Sequence, residues 1–368
     1  MNRRWLCSDV WMDIFPSFDR PQLGLKMALL SDRYDSLVDK HFDGKKEFTL
    51  WRPITIRKGM EDEEVGSKAK LSVQIDDNFV EFPLPDNSLP NKIRFRFLLI
   101  DYLDYSVIKF LHANKQIWDR MGTKLELDVW SNEIEDVQPI WDVLASEIWP
   151  IFATNIRHLS FDDGYHLGNL RRRTSPTLLT DSIQLNSIDS GVLFLDWIAH
   201  DGPSATARQA LAKWLHTPTT DGQPKELRCS NFAALMEINN WFDNHKQTFL
   251  RATTSVAYNM QMHFYKTTPI EPFELVNERT NEKLTFMKKD RGGGELLLSA
   301  WLLKRCPIIV GETAATDHWE NNDNLHHLNG VHFSLYDNCI GPLSPPADQS
   351  DEKVCSTPRP SDQQKMKK

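Results

Sequence analysis

Residues 256–264 constrain the fold of this chain more than any other stretch. Val256, Tyr258, Met260, Met262 and Phe264 alternate with Ala257, Asn259, Gln261 and His263. Successive side chains of an extended strand point to opposite faces, so the alternation predicts a half-buried strand with an apolar side and a polar side. Shorter apolar runs at 125–129, 156–161, 183–188 and 227–229 are candidate partners.

Helical spacing separates these runs. Val137, Ile140, Trp141, Leu144, Ile148, Ile151 and Phe152 recur at offsets of three and four, with Pro150 expected to kink or end the helix early. Ala207, Ala210, Leu211, Trp214 and Leu215 mark a second helix, between Pro203-Ser204 and Pro218. Leu235, Ile238, Phe242 and Phe249 mark a third. Strand, helix and strand recurring at roughly 25 to 45 residues predict a mixed α/β (α+β) class, either an irregular strand–helix repeat or an open sheet. No consensus leucine-rich signature accompanies it.

Two blocks flank this rhythm. Residues 48–58, 71–75 and 79–82 read as a small β region, with Glu61, Asp62, Glu63 and Glu64 in its loop. Phe273, Leu275, Leu284 and Phe286 flank a polar turn through Asn277 and Asn281, a C-terminal β-hairpin signal, with further strands at 296–303 and 331–335. From Gly341 the chain carries five prolines and almost no periodic apolar residues, as expected of an unfolded tail. The expected organisation is a helical unit over 1–45, a small β region and linker over 46–92, a recognition domain over 93–340 and a tail over 341–368.

Composition removes several function classes. A net charge of −8 argues against a general nucleic-acid binder, which is usually basic. No run of about 18 uncharged apolar residues would span a membrane; the longest candidate, 93–110, is broken by Arg94, Arg96, Asp101, Asp104 and Lys109. The five cysteines are scattered without a C-x-x-C spacing, which argues against a disulfide framework or zinc module and for a reducing compartment. No secretory signal is visible at the start of the chain. The expected location is cytoplasmic, nuclear or both.

The opening residues carry the most specific motif. In Leu6-Cys7-Ser8-Asp9-Val10-Trp11-Met12-Asp13-Ile14-Phe15, the apolar positions form a broad helical stripe that Phe18 extends beyond Pro16. Ser8 suits the N-cap, Asp9 the positive end of the helix dipole, and Pro16 should stop or bend the helix. A second helix is expected from about Asp19, with Pro21 in its first turn and Leu23, Met27 and Leu30 facing inward; Gly24 weakens it. A third runs from about Asp32 through Tyr34, Leu37, Val38, His41 and Phe42. So small a unit cannot bury this much apolar surface by itself. The surplus must meet a partner or the rest of the chain, and the periodicity fits both.

The pattern Leu6, Asp9, Val10, Ile14, Phe15 resembles the F-box, with Tyr34 near the usual tryptophan. Cys7 stands where that family has proline and Trp11 where leucine is common. The segments LGLKMALLSDRYDSLVDKHF and KWLHTPTTDGQPKELRC look like those of the large nematode F-box families. The resemblance covers the F-box and, more loosely, the region to about residue 310. It implies the substrate receptor of an SCF-type (cullin–RING) ubiquitin ligase, a non-catalytic role. The adaptor-binding residues it implies are Leu6, Val10, Trp11, Ile14, Phe15, Phe18, Pro21, Leu23, Met27 and Tyr34, set on a small Skp-type adaptor. A protein target would bind the C-terminal domain, on a surface the sequence does not identify. The alternative is an interaction module whose degenerate F-box acts without the ligase.

A receptor needs no catalytic motif, cofactor or metal, and none is expected. Gly292, Gly293 and Gly294 lack a following Gly-Lys-Ser/Thr and read as a turn rather than a phosphate loop. His318, His326 and His327, with Asp317, Glu320 and Asp323, match no common metal spacing. Cys306 has basic neighbours but ends an apolar strand, where a buried structural thiol is expected. Arg171, Arg172 and Arg173 could grip a phosphorylated or acidic degron, although a solvated loop is the simpler expectation. Trp130, Trp141, Trp149, Trp197, Trp214, Trp241 and Trp301 are expected mostly in the core, with one or two lining a groove.

Overall fold

The computed structural model describes residues 7–18, 22–41, 48–50, 53–59, 68–75, 78–85, 88–89, 93–130, 138–230, 235–289, 298–308, 328–336 and 339–344. The chain begins with helices α1 (Ser8–Ile14) and α2 (Asp32–His41). Strands β1 (Phe48–Leu50), β2 (Ile54–Lys58), β3 (Ala69–Ile75), β4 (Asn78–Pro83), β5 (Ile93–Phe95) and β6 (Leu98–Ile100) follow. Helices α3 (Tyr105–Ala113) and α4 (Lys115–Met121) lead to β7 (Thr123–Val129). Next come α5 (Gln138–Val143), α6 (Trp149–Phe152), β8 (Ile156–Phe161), α7 (Gly164–Arg173), α8 (Leu178–Asp181) and β9 (Ser187–Asp189). Then α9 (Ala207–Leu215), β10 (Lys225–Ser230), α10 (Leu235–Arg251) and β11 (Tyr258–Tyr265) complete the alternation. The last strands are β12 (Phe273–Asn277), β13 (Glu282–Lys289), β14 (Leu298–Pro307) and β15 (Asn329–Leu335).

One mixed sheet organises the molecule, in the order β12-β13-β14-β11-β10-β9-β8-β7-β15-β6-β2-β3-β4. The pairs from β11 to β2 are parallel, and antiparallel strands extend both ends. From β7 to β11 each strand lies beside its predecessor, with helices in the connections from β7 through β11. Parallel strands joined this way make right-handed crossovers, and steps in one direction place every connecting helix on the same face. Burial follows that rule. Leu125, Leu127 and Val129 of β7 are buried while Lys124, Glu126 and Asp128 stay half-exposed, and β11 repeats the alternation. The rhythm legible in the sequence is therefore an α/β repeat that builds one large sheet.

Local chemistry starts the helices. Asp104 caps α3 by accepting from Val107 N at 3.0 Å, and Asp163 caps α7 from Tyr165 N at 2.8 Å and His166 N at 3.1 Å. Thr206 and Gln209 form a reciprocal capping box on α9. Pro150 neither ends nor breaks its helix. The five residues before α6, Leu144–Ile148, form a π-turn, and Pro150 then sits in the first turn of α6, where its missing N–H costs nothing.

Several expectations need correction. The run 183–188 is a strand only over Ser187–Asp189; after α8 ends at Asp181, residues 183–184 turn and Ile183 is exposed. The small β region is continuous with the main sheet: β2, β3 and β4 form its last three strands, while β1 pairs in parallel with β5. The β12–β13 hairpin forms as expected, with Asn281 at φ 53 in its turn. By contrast β15 is no hairpin strand. It inserts between β6 and β7, parallel to both. Asn329 clasps it there, accepting from Phe95 N at 3.1 Å and donating to Ile117 O at 2.9 Å. After β15 the backbone stays engaged, with Gly341 N donating to Leu103 O and Tyr105 N to Pro342 O, both at 2.9 Å. Residues 345–368 lie outside the described residues.

A buried polar network ties the β11 end together. Arg305 donates to Glu282 Oε2 at 2.6 Å and to Thr254 O at 2.9 Å, while Glu282 Oε1 accepts from Val256 N at 2.7 Å. Burial alone would raise the Glu282 pKa, but hydrogen bonds from Arg305, Thr280 and Val256 hold it below the usual value.

Candidate functional site

Two surfaces are candidates: the N-terminal helical unit and the polar face of the sheet. In the first, Cys7 rather than Ser8 occupies the N-cap of α1, without a side-chain hydrogen bond. Pro16 converts the end of α1 into a 3-10 turn over Phe15–Ser17. The expected second helix is a π-turn over Leu23–Met27 followed by a 3-10 turn over Ala28–Leu30, which leaves Leu30 exposed rather than inward. Its beginning, with Pro21, lies outside the described residues, as does Leu6.

This unit buries much of its own stripe. Phe15, Leu23 and Met27 are buried together with Leu37 and Val38 of α2, in one core continuous with the sheet. The Trp11 ring meets Tyr34 edge-on at 5.1 Å and Phe15 at 6.0 Å. What remains toward solvent is Val10, 38% exposed, beside half-buried Trp11, Ile14, Phe18 and Tyr34. Of the expected adaptor residues that are described, Phe15, Leu23 and Met27 are buried, Trp11, Ile14, Phe18 and Tyr34 are partly buried, and only Val10 is exposed.

The second surface follows from the sheet register. On the face opposite Leu125 and Leu127, one row crosses the strands through Leu99, His332, Glu126, Ser160, Asp189, Arg228 and Gln261. A parallel row nearer the amino ends of the strands runs through Lys124, His158, Ser187, Glu226 and Asn259. The second row is partly sealed. His158 Nδ1 and Ser187 Oγ are 2.9 Å apart and buried, and burial followed by Lys124 and Arg228 pushes the imidazole down to about 3.

Toward the carboxyl ends the face turns acidic. His332 Nε2 lies 2.7 Å from Asp128 Oδ2, and its Nδ1 lies 3.6 Å from Glu126 Oε2. Burial would lower the His332 pKa, but the Asp128 hydrogen bond and the charges of Asp128, Glu126 and Asp101 raise it above the usual value. Asp101, one residue past β6, is raised by burial against the pull of His332 and Arg57. Asp162, one residue past β8, is raised by burial and then by Asp128, Asp163 and Asp189, while His166 pulls it down. Trp130 and Tyr336 continue β7 and β15 by one residue, 48% and 56% exposed, and Trp130 N donates to Leu335 O at 3.0 Å. The Trp130 ring meets His166 of α7 edge-on at 6.1 Å.

The remaining sequence candidates resolve in different ways. Arg171–Arg173 is no solvated loop. It ends α7, with Arg171 donating to Pro176 O and Ala205 O at 2.9 Å, and Arg173 to Asp142 at 2.5 Å and to Gln138. These guanidiniums staple the α7–α8 turn to neighbouring segments. Burial raises the Cys306 pKa against the pull of Lys304 and Lys283, so its thiol stays protonated. Trp141, Trp149, Trp214, Trp241 and Trp301 are buried, whereas Trp130 and Trp197 are about half exposed. Gly292–Gly294 and His318, His326 and His327 lie outside the described residues.

The carboxyl-edge residues escaped sequence reasoning because each comes from a different strand; only the polar alternation within β7 and β15 hinted at them. Among the described residues, no group of three or more His, Cys, Asp or Glu side chains is arranged to hold a metal ion, and no helix is long and apolar enough to cross a membrane. Comparison with family models, with curated proteins and with solved structures gives no match.

Proposed function

We propose that this chain is the substrate-recognition subunit of an SCF-type (cullin–RING) ubiquitin ligase, working in the cytoplasm, the nucleus or both. The observation that carries the reading is Val10, exposed on α1 beside the partly buried Trp11, Ile14, Phe18 and Tyr34, on a unit whose anchors Phe15, Leu23 and Met27 are buried. A helix with this apolar side suits a groove on a Skp-type adaptor, and an aromatic anchor such as Trp11 is a frequent binding hot spot. The sheet domain would then hold a protein target. Ubiquitination in this scheme arises from effective concentration, because the receptor holds its target near the charged enzyme and makes no bond itself.

Co-expression with a Skp-type adaptor tests this. The full chain should capture the adaptor, and Val10→Asp, at an exposed position, should weaken capture by about tenfold or more. Failure of the unaltered chain to capture any Skp-type adaptor would sink the reading. It would favour the alternative of an interaction module without the ligase, in which the helical unit serves only its own body. The burial of Phe15, Leu23 and Met27 in a core shared with the sheet is the observation on that side.

A further inference from the structure

The two ends of the large sheet are finished differently. Of the two apolar rows that reach β4, the one through Ile56 and Leu71 closes on Phe82, which is 6% exposed. Pro83 ends that strand without a backbone donor. Both rows that reach β12 stay open. Met260, Leu303 and Phe286 are buried, but their row ends on half-buried Phe273. Tyr258, Arg305 and Leu284 are buried, but theirs ends on half-buried Leu275.

Among the described residues, no strand pairs with the outer side of β12. Alternate residues of an edge strand turn their N–H and C=O groups outward, and such a row is a template for another extended chain. Edges are commonly guarded by a proline, a bulge or an unpaired charge. β12 contains no proline and its register with β13 is unbroken. Its one carboxylate, Glu274, is already joined to Lys283 of β13 at 3.3 Å.

Apolar contact is on offer on both sides of this edge. On the helix side α10 roofs β12: Phe273 meets Phe242 at 5.8 Å, and Lys246 Nζ stands 4.4 Å from the Phe273 ring centre. Leu250 of α10 is 39% exposed. It follows Phe249, whose carbonyl accepts from Asn277 Nδ2 at 2.7 Å, so it stands at the last residue of β12. On the polar side Val276 is 47% exposed.

We infer that the outer edge of β12 is a docking site for an extended segment of a partner protein, which adds to the sheet as a further strand. Apolar side chains at every second position of that segment cover Phe273 and Leu275, and its other face lies beside Glu274 and Val276. A second copy of the chain is the poorer occupant. The edge is about 17 Å long and a sheet layer about 10 Å thick, so two copies paired edge to edge cover on the order of 350 Å², far under the ~1,200 Å² of stable protein pairs. A single flexible segment is free of that demand, because it follows the edge and reaches Leu250 and Val276 on its two faces. The segment's identity as part of a ubiquitination target rests on the receptor reading; its binding does not.

Fluorescence anisotropy on the full chain tests the inference with a labelled peptide that alternates Val and Thr between lysine ends. Two further versions are N-methylated at one or the other alternating set of amides. A strand bonds to an edge through one set only, so methylating that set should weaken binding about tenfold or more, while the other set is tolerated. Hydrogen exchange across 273–277 should slow when the peptide is added. Leu275→Asp, which charges one open row, should weaken binding several-fold, with circular dichroism confirming the fold. Failure of the unmethylated peptide to bind would overturn the inference, as would equal effects of the two methylated sets or unchanged binding by the folded Leu275→Asp chain. Exchange that slows with chain concentration alone would assign the edge to a second copy and overturn it too. Adaptor capture on the same preparation separates the two readings. Capture without peptide binding defeats only the docking inference, and peptide binding without capture defeats only the receptor reading.

Discussion

His332 Nε2 and Asp128 Oδ2 stand 2.7 Å apart on neighbouring parallel strands, although 204 residues separate them in sequence. The contact exists because β15 returns from the end of the chain to lie between β6 and β7. Asp128, Glu126 and Asp101 raise the His332 pKa in the folded state. A raised histidine pKa contributes stability that is fully present below the unfolded value near 6.5 and is lost as pH rises through the folded value. An NMR titration should therefore show the His332 ring changing charge above pH 6.5, and Asp128→Asn should move that midpoint down. A midpoint below 6.5 in the unaltered protein would contradict the assignment.

Half-buried His216 and buried His245 act in the opposite sense. His216 is pushed down to about 4 by burial and then Arg305, against the Ala212 hydrogen bond. His245 is pushed well below 6.5 by burial, His216 and Arg305, and its Nε2 lies 2.7 Å from the Tyr258 hydroxyl. Below pH 6.5 the unfolded chain takes up protons that the folded one refuses, so stability falls with pH over that window. A histidine shifted as far as His216 costs on the order of 2 kcal/mol by pH 5. Urea unfolding midpoints should drop between pH 7 and pH 5, and His216→Gln should flatten the drop.

The Asn329 clasp is the third test. Replacing it by alanine leaves Phe95 N and Ile117 O without their partner. Two buried groups stranded this way cost about 3 kcal/mol together. Chemical denaturation of Asn329→Ala should show a loss of that order, with faster hydrogen exchange at the Phe95 amide. A loss below about 1 kcal/mol would mean that β15 is held in place by its ladder alone.

Periodicity made several elements legible. Tyr258–Tyr265, Ala207–Leu215 and Leu235–Arg251 lie where their spacing placed them, because each buries one face and the 2.0 or 3.6 period records it. Residues 183–188 misled because so short a run, with Ile183, Leu185 and Ile188 interleaved with polar residues, alternates like a strand although its first half is a turn and irregular backbone after α8. Arg171 read as solvated because a charge run normally is; its guanidinium is buried only because carbonyls of Pro176 and Ala205 happen to meet it. The N-terminal strip was visible as an amphipathic stripe, but not which anchors the body would claim.

Sequence alone determined the α/β character, the alternation of strand and helix along the middle of the chain, and the split of each strand into apolar and polar sides. These are properties of neighbouring residues, set by backbone geometry and the burial of apolar surface. Tertiary structure decided the order of strands, the entry of β15 beside β7, and with it the meeting of Asp101, Asp128, Asp162, Asp189 and His332 at one edge. Those contacts join segments far apart in the chain, and no local pattern encodes which strand will pair with which.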